Sequence, residues 1–525
     1  MRLSRYITII IFSVFGLIVL FPILSMFLSA FLKTGQTPGG VASGIFLNTR
    51  QWLLIKNSLF ISFGVTIFSL ILGVPLAFLI ERTNLFCRHC FRMTYFIPLL
   101  IPPYIHAIVW TRIFAEYKFM NTLFKIHSLQ GAIFVLTLAY FPFVTLIAIS
   151  GLKSVDPLLE EAAFIHHNPL KTLKSITLPL ITPHIFAGAV FVFIFSLVNF
   201  SVPDILRVGV YPVEIFIQFS AFYNQKAATL LSLPLILIAF ILIALQNRHM
   251  KERSYMNLGG RKGRADRRRW WHLSPFANGL FSLLYLIIFV LSILLPVMVL
   301  YKVAGPFANY AKSFSSSRNQ IGYSILLAFL GALGAMTLSF FIAYAIERQS
   351  DWKKGLMELA AMLPFAVPAI VLGIGMIKVW NHAWTNILYS SSVIIIFGYI
   401  ARFIPFGIWS VQSNLKQVPV HLEEAGTMHT PSCRRIFGRI LIPLCRPGLV
   451  AGFFIIFVLS LGELATTLLV IPAGKSTLPI KIYNLMHYGA EHMVAALSLI
   501  LIGLIIVFSL IFLGFFRLAW RYDRA

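Results

Sequence analysis

The chain has 525 residues, 59% hydrophobic and 11% charged, too apolar for the water-facing surface that several soluble domains of this total length would need. Lys and Arg number 43 against 17 Asp and Glu, a formal charge of +26, but the basic residues fall in short runs between apolar stretches. That is the layout of membrane-protein loops and excludes a nucleic-acid-binding face. Four cysteines in so long a chain are too sparse for a disulfide framework.

A hydrocarbon core about 30 Å thick takes roughly 20 apolar residues per helix. Twelve stretches meet that length: residues 7–32, 57–80, 94–115, 131–151, 184–203, 228–246, 276–301, 323–346, 358–380, 388–411, 447–470 and 493–516. The first follows Arg2 and Arg5 as a signal sequence would, yet it is long enough to span, so an uncleaved helix is favoured over cleavage near Ala30. With the N-terminus inside, the cytoplasmic segments hold about twice as many Lys and Arg as the outward ones, which places both termini in the cytoplasm. The densest basic run, residues 248–269 with GGRKGRADRRR, reads as a cytoplasmic linker touching anionic lipid. The expected fold is an all-α membrane protein of about twelve transmembrane helices.

Sliding the second half over the first at an offset of 266 aligns features that share no local reason to agree. Ser58 meets Ser324, Glu81-Arg82 meets Glu347-Arg348, and Pro98 and Pro102 meet Pro364 and Pro368. Further on, Glu161-Ala162 meets Glu424-Ala425 and Pro179 meets Pro443, the offset drifting to 263 and 264. The chain therefore reads as two homologous six-helix halves, 1–246 and 276–525, joined by a basic linker over 247–275. Two such bundles can rock about a path between them, which makes transport the leading functional class.

Between the fourth and fifth spans runs VDPLLEEAAFIHHNPLKTLKSITLPLITP, and its counterpart is VPVHLEEAGTMHTPSCRRIFGRILIPLCRP. Each carries an acidic, small-residue cluster at a helix start and ends in Leu-Pro or Ile-Pro. Leu158, Leu159, Phe164, Ile165, Leu170 and Leu173 in the first, with Leu422, Met428, Ile436 and Phe437 in the second, make these loops too apolar to stand free in water. They need a soluble partner or the bilayer interface.

These residues resemble the inner-membrane permeases of binding-protein-dependent ABC importers, whose loop signature is Glu-Ala-Ala, three residues, Gly, nine residues, then Ile-x-Leu-Pro. The second copy keeps the spacing with Glu424, Ala425, Ile440 and Pro443, but has Gly426 for the second alanine and Thr430 where the glycine belongs. The first keeps Glu161-Ala162-Ala163 and Ile176-Thr177-Leu178-Pro179, is one residue shorter between them, and has His166 or His167 in place of glycine. YIARFIPFGIWSVQSNLKQVPVHLEEAG and SLGELATTLLVIPAGKSTLPIKIYNL look like the fused, two-half permeases of the ferric-iron group. The resemblance implies a type I, MetI-like permease fold and loops, about 152–183 and 412–446, that dock on an ATP-binding subunit. It gives Glu160, Glu161, Ala162, Ala163, His166, Leu178, Pro179, Glu423, Glu424, Ala425, Gly426 and Pro443 the coupling role. Glu161 and Glu424 are the carboxylates suited to pair with a basic residue on that partner. It also implies a homodimer of ATP-binding subunits that carries the ATP and Mg, a periplasmic substrate-binding protein, and the bacterial inner membrane. This chain would bind no cofactor, metal or nucleic acid and perform no covalent chemistry. Ferric iron is the expected cargo, with thiamine, polyamine, sulfate or phosphonate as alternatives and a secondary transporter as the rival class.

Other motifs carry less. GKST at residues 474–477 lacks the glycine a phosphate loop needs five positions earlier, where Leu469 stands. Cys87-Arg88-His89-Cys90 has no second pair to complete a zinc site, so free thiols are expected, and Cys433 and Cys445 read as small packing residues. Gly331 and Gly334, and Gly373 with Gly375, read as close helix packing. Pro98, Pro102, Pro103, Pro364 and Pro368 should kink or break the third and ninth spans, for gating or simply to bend the bundle. Glu463, Arg402 and Asp204 are ionisable groups at or near membrane depth, fit to line a translocation path or to form interhelical pairs.

Overall fold

The computed structural model describes residues 5–32, 48–117, 119–253, 271–349, 351–429 and 432–522. Most of the basic linker, residues 254–270, and Thr430 lie outside the described residues. No strand occurs among the described residues, where Thr83 and Trp271 form one isolated bridge. Leaving aside two single turns, the first half supplies α1 (residues 5–32), α2 (Thr49–Arg82), α3 (Arg88–Thr94), α4 (Pro103–Glu116), α5 (Leu129–Ser154), α6 (Pro157–Phe164), α7 (Pro169–Leu197), α8 (Ser201–Ile205), α9 (Tyr211–Ser220) and α10 (Gln225–Arg253). The second supplies α11 (Pro275–Ala304), α12 (Phe307–Glu347), α13 (Asp351–Ala366), α14 (Ala369–Trp380), α15 (Val393–Leu415), α16 (Val420–His429), α17 (residues 433–461), α18 (Ala465–Val470), α19 (Leu478–His487) and α20 (Glu491–Tyr522).

Among the described residues ten helices are long and apolar enough to cross a membrane, and two bent pairs bring the number to twelve if each pair is one span. The bends fall where proline dictates. The segment ending in the 3-10 turn Ile97–Leu100 meets α4 at 91°, and α13 meets α14 at 101°. Pro102 and Pro368 cap the second arm of each pair in an extended conformation, since a ring without an N–H cannot continue the preceding helix. The third and ninth spans are thus broken, not merely kinked.

Some spans begin earlier than hydropathy alone places them, because polar caps lie beyond the apolar run. Asn48 accepts from the Arg50 backbone N–H and starts α2 at Thr49, while Ser128 and Ser274 cap α5 and α11 in the same way. Inside α2 the hydroxyls of Ser58, Ser62 and Thr66 each donate to the carbonyl four residues back, so an apolar interior holds them without an orphaned donor. Single π-helical turns at Gly16–Leu20 and Val290–Leu294, and at Leu173–Thr177 and Phe437–Leu441, occupy matching places in the two halves. They repeat the duplication in backbone geometry.

The described residues form two compact units. One, Leu47–Val213 with Leu237–Lys302, is built on α2, α5 and α7. Here α11 lies against α2 and α5: the Tyr285 hydroxyl donates to the Leu72 carbonyl at 3.0 Å, and Leu76, Ile80, Phe91, Phe141 and Ile288 close round it. Asn84 accepts from the Leu273 N–H at 2.9 Å and fixes how the chain enters α11. The other unit, Met1–Phe46, Glu214–Ile236 and Val303–Ala525, is built on α12, α15 and α17. A small-residue stripe on α12, Ala328, Gly331, Ala332, Ala335 and Ser339, is buried, so backbones approach closely in the absence of any lipid-excluding hydrophobic force. A Cβ at Gly331 would stand 3.0 Å from the Tyr399 side chain, and one at Gly334 2.8 Å from Ile400. On α14, a Cβ at Gly373 would meet Leu469 at 2.9 Å, and one at Gly375 the Pro22 carbonyl of α1 at 2.6 Å. All four glycines therefore serve packing. Each compact unit takes its core trio from one sequence half and a first helix, α1 or α11, from the other, so the packing units do not coincide with the segments 1–246 and 276–525. Gly375 and the Leu72–Leu76 face explain why: they are the surfaces that fit α1 and α11.

Candidate coupling surface and membrane-buried charges

Asp156 starts α6 by accepting from the Leu158 N–H, and its first turn sets adjacent glutamates on opposite sides. Successive helical residues diverge by about 100°, so Glu160 and Glu161 cannot face the same way. Glu160 is 2% exposed, with its carboxylate 3.0–3.2 Å from Arg82 Nε, and it also accepts from the Thr177 hydroxyl at 2.9 Å. Arg82 in turn donates to the Leu152 carbonyl at 2.8 Å. Glu161 and Ala162 are exposed, beside Leu158 at 64%, Leu159, Ile165 at 77%, His166 and Leu170.

The second copy repeats this division. Glu423 is 1% exposed; it accepts from Arg348, through Nε at 3.0 Å and through Nη2, and from the Tyr344 hydroxyl at 2.9 Å. Glu424 and Ala425 are exposed, as are Leu422 and Met428, the last at 89%. His421 Nδ1 lies 3.2 Å from the Glu424 carboxylate.

The coupling set named from sequence thus divides in two. Glu161, Ala162, His166, Pro179, Glu424, Ala425 and Pro443 are exposed, whereas Glu160 and Glu423 are buried anchors paired with Arg82 and Arg348. Ala163 is buried, and Leu178 and Gly426 are half-buried. A Cβ at Gly426 would stand 2.8 Å from Ile440, so this glycine lets α16 lie against α17. Ile436 and Phe437, expected on the docking face, are core residues instead: Phe437 packs edge-on to Tyr344 with ring centroids 4.9 Å apart. Sequence reasoning passed over Arg82 and Arg348 as anchors, although their equivalence in the repeat was visible.

Arg402, within the span Val393–Leu415, and Glu463, two residues past the span Phe437–Leu461, come together, Nε to carboxylate 3.7 Å. Glu463 also accepts from the backbone N–H groups of Thr466 at 2.8 Å and Thr467 at 2.9 Å, which caps α18. In the first half Asn199 does the same for α8, accepting from the Val202 N–H at 3.0 Å. The cap therefore needs an acceptor and no charge. The charge answers to Arg402, whose place in the first half is taken by Ala139. Asp204 lies half-buried in α8, within the other compact unit.

The remaining motifs resolve into structure. Gly474 turns the GKST segment with φ +76°, and Lys475 donates to Ser392 at 2.9 Å while lying 5.7 Å from the Tyr323 ring centroid. Cys87 and Cys90 are exposed free thiols and Cys445 a buried one. Among the described residues no group of three His, Cys, Asp or Glu is placed to hold a metal ion.

Two exposed faces, each with a glutamate and apolar side chains on a short helix between the fourth and fifth spans of a repeat, mark both halves alike. The sequence model of the binding-protein-dependent transport system inner membrane component family matches residues 69–252 and again residues 335–519. The chain belongs to this family. Its two matches show a fused permease with both halves on one polypeptide, and the helices give it a multi-pass membrane fold of the MetI-like kind. The permease is similar to the Fe(3+)-transport system permease protein FbpB 2 of Haemophilus influenzae, 26% identical over 468 residues covering 88% of this chain and 90% of that protein. It is also similar to the ferric transport system permease protein FbpB of Actinobacillus pleuropneumoniae, 26% identical over 499 residues covering 87% of this chain and 70% of that one. The molybdenum transport system permease protein ModB of Haemophilus influenzae is 26% identical over 208 residues, 36% of this chain and 88% of that protein, a length that fits one repeat of the permease.

Proposed function

We propose that this permease is the membrane subunit of an ATP-driven importer that takes up ferric iron from a periplasmic binding protein. Likeness to two ferric permeases along nearly the whole chain supports the cargo. The paired docking faces support the energy source: α6 and α16 each present one exposed glutamate beside exposed apolar side chains, on a scaffold with no phosphate loop of its own. In this reading both termini and both docking helices lie in the cytoplasm, and a homodimer of ATP-binding subunits, carrying the ATP and Mg, receives one helix on each protomer. Closure of that dimer shifts α6 and α16, and the two halves alternate between inward-open and outward-open states. The permease binds no cofactor and no nucleic acid. The Arg402–Glu463 pair and Asp204 are assigned to the walls of the path, where a polar lining costs least.

Uptake of radiolabelled ferric iron tests the proposal, in iron-starved cells that carry the wild-type gene, no gene, or Glu161→Ala/Glu424→Ala, with labelled thiamine in parallel. Iron uptake should vanish without the gene and in the double variant, whose membrane level should stay that of the wild type. Thiamine uptake lost in place of iron uptake overturns the cargo. Undiminished iron uptake by the double variant overturns the docking assignment.

A further inference from the structure

The Glu-Arg dipeptide that closes α2 recurs at the end of α12; its arginines anchor α6 and α16, and the docking reading leaves its glutamates without a task. We propose that Glu81-Arg82 and Glu347-Arg348 are the links that carry movement of the docking helices into the broken spans, an inference that rests on the docking role given to α6 and α16.

Arg82 holds Glu160 in the first turn of α6, and Arg348 holds Glu423 in the first turn of α16. The neighbouring glutamates hold the first arm of the broken span. Arg92 of α3 donates to Glu81 at 2.5 Å, and Lys354 of α13 donates to Glu347 at 2.6 Å. Lys153 at the end of α5 stands 3.9 Å from Glu81. Consecutive residues on one helix end point in different directions, so a rigid dipeptide can grip two neighbours at once. A docking helix that shifts pulls on Arg, the backbone passes the shift to Glu, and Glu passes it to the arm that bends at Pro102 or Pro368.

Two details favour transmission over plain stabilisation. The role is kept although the cation is not at the equivalent position: under the 266 offset Lys354 corresponds to Arg88, one helical turn from Arg92, and Glu358 stands where Arg92 would. In addition the outer cations are partly accessible, Arg92 45% and Lys354 23% exposed against 1% for Glu81 and 5% for Glu347, so water weakens these pairs as staples, more in the first half, while leaving their geometry directional.

The test uses the complete importer in proteoliposomes: permease, ATP-binding subunit, and binding protein loaded with ferric iron. Three quantities are read on each preparation: ATP-binding subunit retained on tagged permease, ATP hydrolysed, and iron taken up. In Arg92→Gln/Lys354→Gln the subunit should be retained as in wild type, while iron taken up per ATP falls about tenfold, within the ordinary 5–150-fold span of coupling between sites. Arg92→Lys/Lys354→Arg should restore it. Half-exposed Arg92 can be replaced without opening a core, and gel filtration of the variants checks folding. An unchanged ratio of iron to ATP overturns the proposal. So does loss of uptake together with loss of the subunit, because the network would then only shape the docking face. Failure of the unsubstituted permease to retain the subunit refutes the docking reading itself, and this inference with it.

Discussion

Glu160 and Glu161 are sequence neighbours with the same side chain, and the structure assigns them opposite sensitivities. In Glu160→Gln the shape is kept and the charge removed, so Arg82, 4% exposed at its side chain, keeps the Leu152 carbonyl but faces a neutral amide. Breaking a buried ion pair on one side costs about 3–5 kcal/mol, and because Arg82 lies at a helix end, where its long stem lets the head relax toward water, we expect the lower end, about 3 kcal/mol. Glu161→Gln alters an exposed side chain and should fall within about 0.5 kcal/mol of wild type. The measurement is the unfolding free energy of detergent-solubilised permease in an SDS titration, with the thermal midpoint as a second readout. Arg82→Met/Glu160→Gln should recover most of the loss, since no uncompensated charge remains. If Glu160→Gln is as stable as Glu161→Gln, the buried pair is not what holds α6, and the division of the two glutamates fails.

Further outcomes follow for other contacts in the spans. Glu463→Asn should destabilise by about 1–3 kcal/mol, less than a fully buried pair because Arg402 is one-fifth exposed, and Arg402→Ala/Glu463→Asn should recover much of that in the same titration, since it sets the residues of the first half, Ala139 and Asn199, in the second. Gly375→Val should loosen α1 from α14 and cost about 1–3 kcal/mol, because the added Cβ would press on a backbone carbonyl; Gly503→Ala, with open space round its Cβ, should be neutral or stabilising by up to about 1 kcal/mol in the same melt.

What was legible in the sequence is what depends on local rules. Twenty-residue apolar runs, prolines that stop a helix, and glycines at fixed offsets on one face report directly on spans, breaks and close packing, and Pro102, Pro368 and Gly375 behave as those rules require. Hydropathy placed the start of α12 near residue 323 because its outer turns are polar; the helix in fact starts at Phe307. The apolar loop residues were harder to apportion. Leu158 and Phe437 look alike in a sequence, yet one is exposed and the other is enclosed by Phe340, Phe341 and Tyr344, a distinction set by where α17 returns to the core. The Glu-Arg dipeptides showed their register but not their partners, because Arg82 reaches Glu160 from a helix 78 residues away in sequence. Only long-range packing states that contact.

The two kinds of charge pair in this chain answer different physical needs. Within a bilayer, apolar side chains gain little from each other that lipid tails would not supply, so apolar surface alone fixes neither register nor attachment point. Small residues and buried hydrogen bonds do that inside the spans, as along α12. At the span ends, where α6 and α16 pack, close contact at Gly426 is joined in each half by a directional pair between a core helix and the first turn of the short helix. Both halves need that attachment and both have it. The Arg402–Glu463 pair answers no such shared need, since the first half caps α8 with Asn199 and has Ala139 at the position equivalent to Arg402. A charge pair that one repeat dispenses with is not required by the fold of the repeat, and in the second half it joins α15 to the residue that caps α18.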